Sequence, residues 1–183
     1  MRNLYRVVPY LPKVSRRERG HPLYLPISMG GNRVDNSGIY EVLYCGDSPE
    51  CAIAEAFGWK AVWEEGMLRG SRDLPGSRQS LVTYSLPEKF SVCNLDDSKR
   101  LVQMALRPSR VVTGDRKTTQ GWALDIFNSR EFVGVSWWSY YNPDWASMGL
   151  WDTSALIVAN VDLLSWEHPS LRMAADALNR PIN

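Results

Sequence analysis

Leu43-Tyr44-Cys45-Gly46-Asp47-Ser48-Pro49-Glu50-Cys51-Ala52-Ile53-Ala54-Glu55-Ala56-Phe57 reads as a strand ending at Tyr44, a tight turn and a helix. The strand spans Tyr40 to Cys45 and puts Tyr40, Val42 and Tyr44 on one face, because side chains alternate along an extended chain. Ser48-Pro49-Glu50 is a helix start. Serine caps the first free amides, proline suits the first helical position, and glutamate complements the positive end of the helix. The helix is expected to run to about Phe57 and to stop at Gly58. Ala52, Ile53, Ala56 and Phe57 form its inward face, and Glu55 falls at the edge of that face. A carboxylate in that position is either a boundary residue paired with an arginine or a working group beside a pocket.

Upstream, Leu4 to Val8 reads as a strand closed by Pro9. Residues 12–38 are rich in Pro, Gly, Arg and Asn and read as a long functional loop, with at most a short strand at Leu23-Tyr24-Leu25. Downstream, residues 66–79 read as a second loop, and Leu81 to Leu86 and Phe90 to Leu95 as strands on either side of Pro87-Glu88-Lys89. Asp96 or Asp97 can cap a helix through about Leu106, and another helix spans Lys117 to Asn128. Phe132 to Trp138 is a strand, Asn142-Pro143-Asp144 a loop, Ala155 to Val161 a continuous apolar strand, and Pro169 to Leu178 a closing helix. Strands and helices mix without a βαβ rhythm, so the class is α+β.

With 183 residues the chain is long enough for one domain with a sizeable core. Its net charge of +1 supplies no bulk attraction for nucleic acid or an anionic membrane, and no DNA-reading element is evident. Arg16-Arg17-Glu18-Arg19 is a short charge run on a solvated loop. Cys45, Cys51 and Cys93 form no CxxC pair; an odd count with no apolar leader points to reduced thiols in the cytoplasm. Only His21 and His168 are present, so no metal site is expected.

Nucleotide motifs fail on inspection. No G-x-G-x-x-G follows a strand, and Gly114-Asp115-Arg116-Lys117-Thr118-Thr119 lacks the glycine that a phosphate loop carries before its lysine. Other polar residues stand out. Arg33 follows Gly30-Gly31-Asn32; glycines let backbone approach a ligand, and a guanidinium grips phosphate with paired hydrogen bonds. Arg33 as a solvated loop residue, Tyr44 as a core aromatic and Ser139 as a strand terminator are the plain alternatives.

In their order and spacing these segments resemble the RES-domain family. Its pattern is a Gly-rich turn with Arg, a Leu-Tyr-x-x-x-Ser-x-x-x-Ala-x-x-Glu stretch and a Gly-x-x-x-x-Ser strand end, matched by Arg33, by Leu43-Tyr44, Ser48, Ala52 and Glu55, and by Gly134 to Ser139. Leu4-Tyr5-Arg6-Val7 also looks like the start of such domains. The chain departs from the pattern in two places. Val34-Asp35-Asn36 follows the arginine where many members have an aromatic and a polar residue, and the segment between Glu55 and Ser139 is long.

The resemblance implies that residues 1–183 form a single RES-like domain: a mixed sheet with flanking helices, similar to the ADP-ribosyltransferase fold. It implies a bacterial toxin that degrades NAD⁺ by cleaving the nicotinamide–ribose bond and is neutralised by a helix-turn-helix antitoxin. No cofactor is expected; NAD⁺ is substrate, and inorganic phosphate or water is the acceptor. Glu55, Arg33 and Ser139 would be catalytic, and Tyr44, Arg33, Ser139 and Arg6 would bind substrate. An ADP-ribosyltransferase acting on a macromolecule and a silent nucleotide- or partner-binding module are the alternatives, and a homo-oligomer is left open. A plain interaction domain would instead leave Arg33, Tyr44, Glu55 and Ser139 scattered.

Overall fold

The computed structural model describes residues 1–182. Seven strands form one mixed sheet flanked by helices, the α+β class expected. The strands are β1 (Arg2–Tyr10), β2 (Leu43–Gly46), β3 (Arg78–Leu86), β4 (Val92–Asn94), β5 (Gly134–Trp138), β6 (Ala146–Leu150) and β7 (Ile157–Leu163). The helices are α1 (Pro49–Phe57), α2 (Ser98–Gln103), α3 (Pro108–Val111), α4 (Arg116–Ser129) and α5 (Pro169–Ala177). The strand order is β4-β5-β6-β2-β1-β3-β7. Every pairing is antiparallel except β4 with β5.

Alternation along β1 divides the core. Leu4 and Val8 are buried with Leu43, Cys45, Val82, Tyr84 and Leu150. Tyr5 and Val7 pack with the cluster of Ile53, Phe57, Trp63 and Leu171, which joins α1 and α5 to the sheet. A third cluster holds Trp122 and Ile126 of α4 against Val135 and Trp137 of β5, with Tyr40 and Val42. Each fully buried large aliphatic or aromatic side chain contributes about 1.5–3 kcal/mol over its exposed state. Among the described residues no helix is long and apolar enough to cross a membrane.

Several expected bounds move. β1 continues through Pro9, which sits opposite Gln79 of β3. Proline is tolerated there because β2 pairs with β1 only at Tyr5, so the Pro9 nitrogen has no ladder to serve on its other side. Leu23-Tyr24-Leu25 forms no strand, and Tyr40 makes only a single bridge, to Asn36, ahead of β2. β4 is three residues long, and four strands lie between it and β3, so Pro87-Glu88-Lys89 starts a crossing of the sheet. β5 starts at Gly134, not Phe132, and β7 is shifted to Ile157–Leu163, an edge strand with Ile157 and Leu163 exposed.

The helix expected to reach Leu106 ends at Gln103. Asp97 caps it, and Ala105, at φ 50°, closes it with paired bonds from Ala105 N to Val102 O and from Leu106 N to Leu101 O. This is the left-handed closure that satisfies the last carbonyls of a helix. Pro108 then starts α3, unanticipated because a turn this short carries no periodicity.

The strand β6 is the larger surprise. Ala146-Ser147-Met148-Gly149-Leu150 has no β-branched or aromatic residue, so its local preference for strand is weak. It is a strand because it lies between β5 and β2, both of which need a partner. Gly149 is required by that crowding: a Cβ there would sit 2.7 Å from Val34 Cγ2 and 3.0 Å from Val42 Cγ1.

Candidate active site

A cleft of about 620 Å³ opens where β1 and β2 separate. The two strands pair only at Tyr5 and Gly46. Beyond that point Arg6 and Val7 on one strand and Tyr44 and Cys45 on the other line a gap. Along its other edge β2 is fully paired with β6, from Leu43 opposite Leu150 to Gly46 opposite Ser147.

The turn out of β2 delivers α1 to this gap. Ser48 caps α1 as expected, its Oγ accepting from Cys51 N at 3.1 Å, and Gly58 ends it with a bond from its N–H to Ala54 O at 2.7 Å. Gly46 lets the strand end touch the helix; a Cβ there would lie 2.9 Å from Ala52 N and from Cys51 Cβ. Ala52, Ile53 and Phe57 are buried, as are Cys51 and Ala54, while Glu55 faces the cleft.

The Glu55 carboxylate is held by two hydroxyls, one of them, that of Ser147, from a residue that also lines the cleft. Ser139 Oγ donates to Oε1 at 2.8 Å and Ser147 Oγ to the same oxygen at 2.6 Å. Oε2 accepts no hydrogen bond among the described residues, and Glu55 makes no ion pair with arginine there. The boundary-pair reading therefore falls away. Both serines are buried, at 3% and 5% exposure, and they come from the two arms of the β5–β6 hairpin. Ser139 follows the end of β5; its N–H donates to Trp145 O at 2.7 Å, and its Oγ accepts from Tyr141 N at 3.2 Å. Thus Ser139 stands behind Glu55 and not in the cleft wall.

Arg33 is half-buried in the wall. Its Nη1 donates to Val111 O at 2.6 Å and to Thr113 O at 3.1 Å, tying the turn after α3 to the cleft. The guanidinium also lies 6.0 Å from the centre of the Trp137 ring. Burial lowers its pKa from the ordinary value, the nearby Arg116 lowers it further, and Glu55 and Tyr44 oppose the shift. An arginine so placed still carries its charge.

Tyr44 contributes its ring to the cleft but not its hydroxyl. The hydroxyl donates to Asp35 Oδ1 at 2.7 Å and accepts from Val34 N at 3.3 Å. Burial and the Asp35 carboxylate push the phenol pKa far up, so it remains a neutral donor. Asp35 is buried at 3% exposure, and its other oxygen accepts from Asn32 N and Nδ2. Asp35 thereby shapes the turn that carries Arg33. Arg6 lines the cleft and donates a long 3.5 Å bond to Tyr24 O.

Four of the residues singled out in the sequence, Arg6, Arg33, Tyr44 and Glu55, therefore share one cleft, and Ser139 is bonded to the last of them. Ser147 and Arg116 were missed. Ser147 lies on a strand that no local pattern announced. Arg116 belongs to the hexapeptide rejected as a phosphate loop, so a basic pair two residues after a glycine was the only signal. With one carboxylate pinned at one oxygen and three arginines nearby, the cleft can stabilise a developing cation close to a bound anion.

A family model described as the RES domain matches residues 4–171. Among solved structures, a chain of the M. tuberculosis MbcT–MbcA toxin–antitoxin complex superposes with a TM-score of 0.60 at 12% sequence identity. The match covers 97% of this chain and 88% of that one, a likeness of fold. No curated protein matches the chain.

Proposed function

Since the chain belongs to the RES-domain family, we propose that it cleaves the nicotinamide–ribose bond of NAD⁺ and acts as the toxin of a toxin–antitoxin pair. The observation that carries this reading is the Glu55 carboxylate fixed at Oε1 by Ser139 and Ser147, with Oε2 free in a cleft that also holds Arg6, Arg33 and Arg116.

The chemistry asks for that arrangement. In NAD⁺ the nicotinamide nitrogen is cationic, so the departing base takes the bonding electron pair and leaves neutral, with no acid needed. The ribose carbon becomes oxocarbenium-like, as in other glycoside cleavages. Glu55 Oε2 would face that carbon or its neighbouring hydroxyls, stabilising the charge and orienting the acceptor. The acceptor oxygen then bonds to the sugar carbon. Water yields ADP-ribose and releases a proton; inorganic phosphate yields a phosphorylated ADP-ribose. Arg33 would hold phosphoryl oxygens, Arg6 would add a second contact, and the Tyr44 ring would pack on nicotinamide or ribose. Ser139 and Ser147 would act through Glu55, keeping Oε2 aimed. An antitoxin of helix-turn-helix type would hold the toxin in check; the MbcT–MbcA assembly, a toxin with its antitoxin, supports a partner of that role.

The test is NAD⁺ consumption by the purified protein with and without inorganic phosphate, products separated by chromatography. Release of nicotinamide that depends on phosphate defines a phosphorylase; release without it defines a glycohydrolase. Intact NAD⁺ in both, with partner-free protein, would overturn the reading in favour of a silent binding module.

Ser147→Ala separates positioning from binding. Loss of a hydrogen bond to a carboxylate, worth about 1.5–3 kcal/mol, should lower kcat roughly 10- to 100-fold with little change in KM. Steady-state kinetics on the folded variant check this. A raised KM at unchanged kcat would mean that Ser147 serves ground-state binding instead.

A further inference from the structure

The hexapeptide Gly114-Asp115-Arg116-Lys117-Thr118-Thr119 fails as a phosphate loop, yet part of it lies against the cleft. Val112, Gly114 and Arg116 line the wall, held there by the bonds from Arg33 to the carbonyls of Val111 and Thr113. The backbone at the start of α4 is not open to an anion. Asp115 caps it, its carboxylate accepting from Lys117 N at 3.1 Å and from Thr118 Oγ1 at 2.6 Å. A negative charge thus stands where a loop-bound phosphate would go, and Lys117 and Thr118 line a different depression with Trp122 and Asp125.

The Arg116 side chain is placed differently. It is exposed, it lines the same cleft as Arg33, and among the described residues it forms no ion pair and donates no hydrogen bond. Two guanidinium groups in one cleft repel each other unless an anion lies between them. A pyrophosphate, with a charge on each phosphoryl group and oxygens spread over both, suits two such forks. We propose that Arg116 is the second arm of a phosphoryl clamp with Arg33 that takes the pyrophosphate of the dinucleotide, an inference that rests on the reading of this cleft as an NAD⁺ site.

Nicotinamide riboside carries the scissile bond without any phosphate, so it separates the clamp from the chemistry. In Arg116→Ala the ratio of kcat/KM for NAD⁺ to that for nicotinamide riboside is expected to fall on the order of 10- to 100-fold, through KM for NAD⁺. Arg116→Lys, which keeps the charge and loses the fork, should recover part of the ratio. An unchanged ratio, or an equal loss on both substrates, overturns the clamp. So does an unchanged ratio with a higher phosphate concentration needed for half-maximal rate, which would assign Arg116 to the incoming phosphate. Calorimetric titration with inorganic pyrophosphate reads the subsite without turnover. Binding at least tenfold weaker in Arg116→Ala supports the clamp even if the parent protein leaves NAD⁺ intact, a result that removes the cleavage reading alone. Equal binding by parent and variant, or none by the parent, overturns the clamp and leaves any nicotinamide release standing.

Discussion

A Glu55→Gln protein is expected to fold as the parent does and to release nicotinamide from NAD⁺ roughly 100- to 10,000-fold more slowly, the range associated with losing a placed acid–base or electrostatic group. The amide has the shape of the carboxylate and can still accept from Ser139 and Ser147 at one oxygen. What it lacks is the negative charge that offsets an oxocarbenium-like centre. Glu55 is exposed to the cleft, so its replacement by an amide of the same shape opens no cavity in the core, and the cost to stability is expected to be about 1–2 kcal/mol, the difference between charge-assisted and neutral hydrogen bonds from Ser139 and Ser147. Thermal unfolding and a single-turnover assay, run on the same preparation, give the two readouts. Full turnover by a folded Glu55→Gln protein would sink the assignment of Glu55. A variant that is inactive because it is unfolded is recognised by its melting curve, and Glu55→Asp, which keeps the charge but shortens its reach, then supplies the second comparison.

Arg33→Lys should be the next most damaging change in the cleft. A lysine keeps the charge, but its single ammonium cannot hold the carbonyls of Val111 and Thr113 and also present a second nitrogen to a phosphoryl group. Two charge-assisted hydrogen bonds are at stake, each worth about 1.5–3 kcal/mol, so kcat/KM for NAD⁺ is expected to fall by roughly 100-fold or more. The same change frees the segment from Val111 to Gly114, whose amides should then exchange faster with deuterium than in the parent. Unaltered kcat/KM would show that Arg33 serves the loop alone. Lost activity with unaltered exchange would show that it serves the ligand alone.

The placement of β1, α1, α4 and α5 was legible because each carries a local signal. Ser48-Pro49-Glu50 starts a helix by capping chemistry, α4 begins at Arg116, one residue before the expected start, and Pro169 opens α5. Shape at the level of the sheet was not legible. Val92–Asn94 pairs in parallel with β5 across the molecule from β3, and nothing in those residues names that partner. The same holds for Ala146–Leu150, a strand made by its neighbours.

The candidate site divides along the same line. Arg33, Tyr44, Glu55 and Ser139 could be singled out by residue type, by the glycines before Arg33 and by spacing, all properties of short stretches of chain. That Tyr44 spends its hydroxyl on Asp35, that Ser139 reaches Glu55 and not the cleft, and that Ser147 and Arg116 join them are relations across many residues of chain. The sequence by itself therefore determined the α+β class and the start of α1, and it singled out Glu55 as the candidate carboxylate. The tertiary structure alone decided which oxygen of that carboxylate is free, because the two hydroxyls that occupy the other arrive on a hairpin whose pairing depends on the whole sheet.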